Sequence, residues 1–235
     1  MAGYDLKSEE DVKLYLKNLL TEYTYGCYGE KNPEVCHLLG DYHEAVKADP
    51  ATAADIYQKN CDNMQYGRSC AKIGGWKLVG RGCEKNVQRG YDYLKQGCEL
   101  GDSIGCTNAG IVALVSKEIH KADKAAAVRA GVAMLQKACN EHKDQKGCFF
   151  LSGVYLKGIE GCVKRDLVEG YKVSLKACEL GSPYACFNIA KMHERGEGAQ
   201  KSDKLAETFK ARGRELEKQI KENQPTISFG QGIDP

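Results

Sequence analysis

Ten of the twelve cysteines fall into five pairs, and the pairs recur at an interval that leaves few folds open. They are Cys27 and Cys36, Cys61 and Cys70, Cys98 and Cys106, Cys139 and Cys148, and Cys178 and Cys186, with eight, eight, seven, eight and seven residues between partners. First members of successive pairs lie 34, 37, 41 and 39 residues apart. A period in this range marks an array of helical hairpins, each of which buries its apolar stripe only by stacking on its neighbours.

The residues around each pair supply the two helices. Four positions after the second cysteine a small residue recurs, at Gly40, Gly74, Gly110, Ser152 and Ala190, one helical turn on, where it admits a neighbouring helix. This is helix A of each repeat. Seven positions before the first cysteine stand Ala54, Tyr91, Val132 and Tyr171, and four before it Tyr57, Leu94 and Leu135, the stripe of a second helix, B. Between A and B lie glycine-broken turns: "VGRGCEKN" from Val79, "KGIEGCVKRD" from Lys157 and "RGEGAQKSD" from Arg195. The predicted fold is all-α, an α/α superhelical solenoid of about five hairpins.

In this frame every cysteine pair joins the last turn of one helix B to the first turn of the next helix A. Two helix ends linked by so few residues can bring their Cα atoms within disulfide range. Closing a loop of about ten residues stabilises by roughly 2–3 kcal/mol in the chain-entropy model. Ten buried free thiols are the alternative, since an unpaired cysteine packs as a small hydrophobe. Repetition at one structural position favours bridges. Zinc fits less well, because there is no C-x2-C and the five histidines are scattered.

Composition narrows the partners. Formal net charge is only +2, which argues against a nucleic-acid or anionic-membrane partner. No run approaches the roughly 18 apolar residues of a membrane span, and "MAGYDLKSEEDVKLYLKNLL" reads as neither a secretory signal nor a mitochondrial presequence. No nucleophile elbow, phosphate loop or paired catalytic carboxylates emerge, so the chain reads as a binding protein rather than an enzyme.

The hairpins resemble Sel1-like repeats, relatives of the tetratricopeptide array, from Cys36 to about Glu222. The stretches "CYGEKNPEVCHLLGDYHEAV" from Cys27 and "NCDNMQYGRSCAKIGG" from Asn60, with the tail "PTISFG" from Pro225, are similar to the mitochondrial cytochrome c oxidase assembly factor 7 family. The resemblance implies a cap over 1–35, repeats at 36–69, 70–105, 106–147, 148–185 and 186–224, and a tail over 225–235 that is mobile or a docking segment. It implies residence in the mitochondrial intermembrane space, reached through that compartment's oxidative import machinery, and partners in copper or haem delivery to the oxidase. The pair gaps of seven and eight differ from the C-x9-C and C-x3-C of better-known substrates of that import route. Two other readings stand beside it. One is a secreted cysteine-rich Sel1-like protein that binds cell-wall or penicillin-type ligands. The other is a thiol-disulfide oxidoreductase.

An oxidoreductase needs a thiolate or an exchangeable bridge. Cys83 and Cys162 occupy matching places in two glycine turns, with a hairpin between them, and are expected to be free thiols. Lys85 and Lys164 follow each by two residues. The plainer reading is that each thiol fills an apolar turn position, as Ala199 does in the last repeat. Haem, which the resemblance also implies, needs histidine or methionine donors. His120, in a lengthened turn of the third repeat, is the candidate expected to be most accessible, followed by Met192 and His193. In the last helix Leu216 and Ile220 are expected to face inward.

Overall fold

Eleven α-helices run through residues 4, 5 and 7–223, the part of the chain that the computed structural model describes. They are α1 (Glu9–Thr24), α2 (Pro33–Ala45), α3 (Pro50–Met64), α4 (Gly67–Val79), α5 (Val87–Glu99), α6 (Ser103–Val115), α7 (His120–Asn140), α8 (Gln145–Lys157), α9 (Leu167–Glu179), α10 (Pro183–Arg195) and α11 (Asp203–Glu222). A π-helical turn, Tyr25–Gly29, closes α1. The proposed 225–235 tail lies outside the described residues.

Local chemistry sets the ends of these helices. Asn32, Asp49, Asn86, Asp102, Asp144, Asp166, Ser182 and Ser202 each accept a backbone N–H of the first turn, and Pro33, Pro50 and Pro183 follow a cap where no N–H is needed. The A helices α2, α4, α6, α8 and α10 are all 13 residues long, so each offers one register to its neighbours. Helices pair as α2/α3, α4/α5, α6/α7, α8/α9 and α10/α11, and α6 also touches α4 and α8, so that the A helices line one side of the array, its inner face.

The small residues of the A helices sit where expected. A Cβ added to Gly40 would enter the Tyr57 ring, one on Gly74 would meet Leu94 at 2.8 Å and the Gly90 carbonyl at 2.9 Å, and one on Gly110 would meet Leu135 at 2.7 Å. Tyr57, Leu94 and Leu135 are fully buried against these glycines, and burying a Leu side chain contributes roughly 1.5–3 kcal/mol. The fourth hairpin breaks the size rule: Ser152 faces this interface and the position of the large residue holds Ser174, whose buried hydroxyl has no partner.

One sequence expectation fails at packing level. Ile220 continues the inward stripe of Ala206, Phe209, Gly213 and Leu216, yet is 47% exposed. Gly213 already lies against Phe187 near the start of α10, so α11 has run past its partner one turn later. His120 lies in the irregular segment before the break at Asp123, and its Nε2 lies 2.8 Å from the Ala113 carbonyl oxygen.

Candidate functional site: the stapled junctions, the cysteine turns and the inner face

At each junction the two cysteines face across a tight turn. The Cα–Cα distances are 4.5, 4.8, 4.3, 4.5 and 4.8 Å from the first pair to the fifth, and all five pairs are bonded. The bridges are buried, with no cysteine among them more than 4% exposed. Turn chemistry explains the two gap lengths. The seven-residue gaps reverse at Gly101 (φ 87°) and Gly181 (φ 97°), the glycines of "CELGD" and "CELGS", whereas the eight-residue gaps use Lys31, Gln65 and Lys143 in the left-handed region.

Cys83 and Cys162 are free and half-buried. Their turns are alike in sequence but not in contact. Gly82 (φ 64°) lies so close to Pro50 at the start of α3 that no Cβ fits, and Cys83 packs on the buried Ala53, Tyr57 and Trp76 cluster. Arg81 ties the same turn to Glu44 at 3.0 Å and lies over the Trp76 ring. Around Cys162 the loop closes on itself through Ile159 and Val163, and a Cβ on Gly161 would meet nothing within 4 Å. Residues Lys157 to Arg165 line an open surface hollow, with Cys162 among them.

The histidines the haem reading needs are already engaged. His193 is 3% exposed, with Nδ1 2.9 Å from the Gln200 carbonyl, Nε2 3.1 Å from the Tyr171 hydroxyl and the ring stacked on Phe209. Met192 is buried beside it, under Gly198. With His120 near a carbonyl, these three side chains do not fit haem ligation as they stand, and they are not gathered at one site.

Sequence reasoning missed a buried polar network at the first two hairpins. The Asn60 amide donates to the Pro33 carbonyl (2.7 Å) and to Ser69 Oγ (2.8 Å), which leaves the Ser69 hydroxyl proton for Nδ1 of His37 at 2.9 Å. Burial pushes the His37 pKa down to about 4, against the pull of Asp41, so the ring is neutral and its 3.7 Å approach to Asp41 is not a charged pair. The Tyr57 hydroxyl donates to Asp41 (2.6 Å) and approaches Glu44 (3.3 Å), and Lys72 completes the set on Glu44 at 2.6 Å. Burial and these carboxylates push the Tyr57 pKa far up, so it remains a donor. The partners lie up to 32 residues apart, and no local pattern could have joined them.

These features define a class: a helical-hairpin solenoid with a disulfide at every junction. The Sel1 repeat family matches residues 28–63, 67–102, 145–182 and 183–207, passing over 103–144, where α7 is lengthened to 21 residues and carries a break at Asp123. The fold is similar to the crystal structure of a Sel1 repeat protein from Oxalobacter formigenes, with a TM-score of 0.70 at 18% identity, covering 90% of this chain and 84% of that one. Over its whole length the sequence is similar to the cytochrome c oxidase assembly factor 7 homolog of Drosophila melanogaster, 35% identical over 98% of each chain. It is likewise 36% identical to cytochrome c oxidase assembly factor 7 of Xenopus tropicalis and 31% to that of Homo sapiens, over 98% of this chain and all of each relative. The chain belongs to the cytochrome c oxidase assembly factor 7 family.

Proposed function

We propose that this chain is an accessory factor for the assembly of cytochrome c oxidase, working as a rigid protein-interaction platform in the mitochondrial intermembrane space. The observation that carries the role is full-length likeness to relatives named for it. Five buried bridges support the compartment, since disulfides persist where the surroundings oxidise thiols. Among the described residues no helix is long and apolar enough to cross a membrane. Partners in copper delivery belong to this proposal. So does entry through the oxidative import machinery.

A second reading has one observation in its favour: the free Cys162 in its open turn, a place where a thiolate could attack a partner's disulfide. One experiment separates the two. Cells depleted of the protein are complemented with wild type and with the double variant Cys83→Ser/Cys162→Ser, and assembled oxidase is measured on native gels. The platform reading expects both to restore the enzyme. Failure of a folded double variant establishes thiol chemistry instead, and normal oxidase after depletion overturns the assembly role.

A further inference from the structure

Charges on the inner face differ in whether the fold uses them. Lys72 on α4 is spent on Glu44 and Asp41 of α2, whereas Arg68, one residue into α4, is exposed and among the described residues in no ion pair. On α8 and α10 the exposed Lys146 and Lys191 have no such use; Glu194, one turn on from Lys191, is held by Lys210. Among the described residues neither lysine is in an ion pair.

The face also carries residues that weaken a helix without repaying it internally. Asn108 and Asn188 stand at one register, five residues after the first residue of α6 and of α10. Asparagine is a poor helix former, and both side chains are half-buried with neither carboxamide an orphan sealed from water. At that register on α8 stands Phe150, 40% exposed, beside Phe149 (ring centroids 5.7 Å), which reaches Tyr184 on α10 (6.2 Å); Tyr184 is 64% exposed. Gly153, one turn on from Phe149, lies mid-helix where an added Cβ would meet nothing within 4 Å. A glycine there costs about 1 kcal/mol against alanine, and no packing contact in the fold requires it.

We propose that the inner face of α6, α8 and α10 binds an extended, acidic segment of a partner protein, with an aromatic or aliphatic side chain against Phe150 and Tyr184. The two carboxamides can each donate to and accept from the main chain of an extended peptide. Gly153 lets that main chain approach the helix closely. Lys146 and Lys191 select acidic over basic segments, and the exposed rings supply an anchor of the kind that dominates interface energetics. This deepens the platform reading and rests on it.

The test uses the purified, oxidised full chain against random dodecapeptides displayed on phage, with the selected peptide synthesised for titration. Expected is a selected set with net negative charge and one or two large apolar residues, binding more weakly as salt rises. Lys191→Glu and Gly153→Leu should each weaken binding by about tenfold or more, as loss of an anchor does. Lys204→Glu, on α11, should leave it unchanged, and circular dichroism confirms the fold of each. Neutral or basic selected peptides, no selection at all, or equal affinity across the variants would overturn the proposal. So would a photo-crosslinker at position 150 that joins residues 224–235 of the same chain or a second copy, since either makes this face a self-contact. Intact oxidase rescue by Gly153→Leu, with peptide binding lost, would sink this surface and leave the assembly role standing.

Discussion

The turn that holds Cys83 and the turn that holds Cys162 begin from nearly the same words, "GRGCEK" and "GIEGCVK", and end in different surroundings. The first is pinned to the preceding hairpin at two points, Gly82 under Pro50 and Arg81 on Glu44. The second is one residue longer and bonds only to its own repeat, through Ile159 with Val163 and Arg165 Nε donating to the Leu156 carbonyl. A Cβ on Gly161 would meet nothing within 4 Å, where one on Gly82 would collide with the start of α3. A shared sequence frame thus fixes where a thiol sits in a repeat, while the neighbouring repeat decides whether it is packed down.

Glycine replacement breaks this comparison most sharply. Gly82→Ala should cost about 3 kcal/mol or more, combining a left-handed backbone with a collision against α3 backbone, whereas Gly161→Ala (φ 72°) carries only the backbone strain, about 1 kcal/mol. Denaturant midpoints measure both. Equal losses would mean that the two turns are not held differently.

Next in size are the bridges. Cys98→Ser with Cys106→Ser should lower stability by about 2–3 kcal/mol, the loop-closure contribution, while Cys162→Ser should cost well under 1 kcal/mol. Cys83→Ser falls between, because that side chain touches the Tyr57 and Trp76 cluster.

Acid should separate the two ends of the molecule. His37 is buried neutral with a pKa of about 4 against an ordinary 6.5, so the unfolded chain binds the extra proton first. Its contribution is whole above about pH 6.5 and declines as pH falls, to a loss on the order of 2–3 kcal/mol below pH 4. Amide protection factors, corrected for the intrinsic exchange rate at each pH, should therefore fall in α2–α4 before α8–α9 as pH drops from 7 to 5, and His37→Gln should flatten that difference. The smallest effect reverses sign between neighbours on α4. Gly75→Ala, with nothing near its added Cβ, should stabilise by about 1 kcal/mol, while Gly74→Ala, facing Leu94 and the Gly90 carbonyl, should destabilise by roughly 1–3 kcal/mol. Thermal melts resolve both.

What could be read in the chain was whatever a short span controls. The cysteine gaps, the small residue four places on and the glycine turns are each determined within about ten residues, and the hairpins follow from them. The His37–Ser69–Asn60 network needs three helices at once, so no single segment carries its signature. Ile220 was misjudged because periodicity describes a helix and says nothing of where its partner stops. The lengthened turn at His120 was legible in the irregular spacing, but the contact of its ring with the Ala113 carbonyl was not. The inner-face residues Asn108, Asn188 and Phe150 had a signal that went unused: poor helix formers and an exposed ring at one register across alternate helices.

Peptide mapping of the oxidised, denatured protein after alkylation tests the central account most directly. It should recover two modified cysteines, Cys83 and Cys162, and five bridges that each join cysteines eight or nine positions apart. In the folded protein, Cys162 should be the first to react. Bridges between distant repeats, or twelve alkylated cysteines in protein taken unreduced from mitochondria, would contradict it.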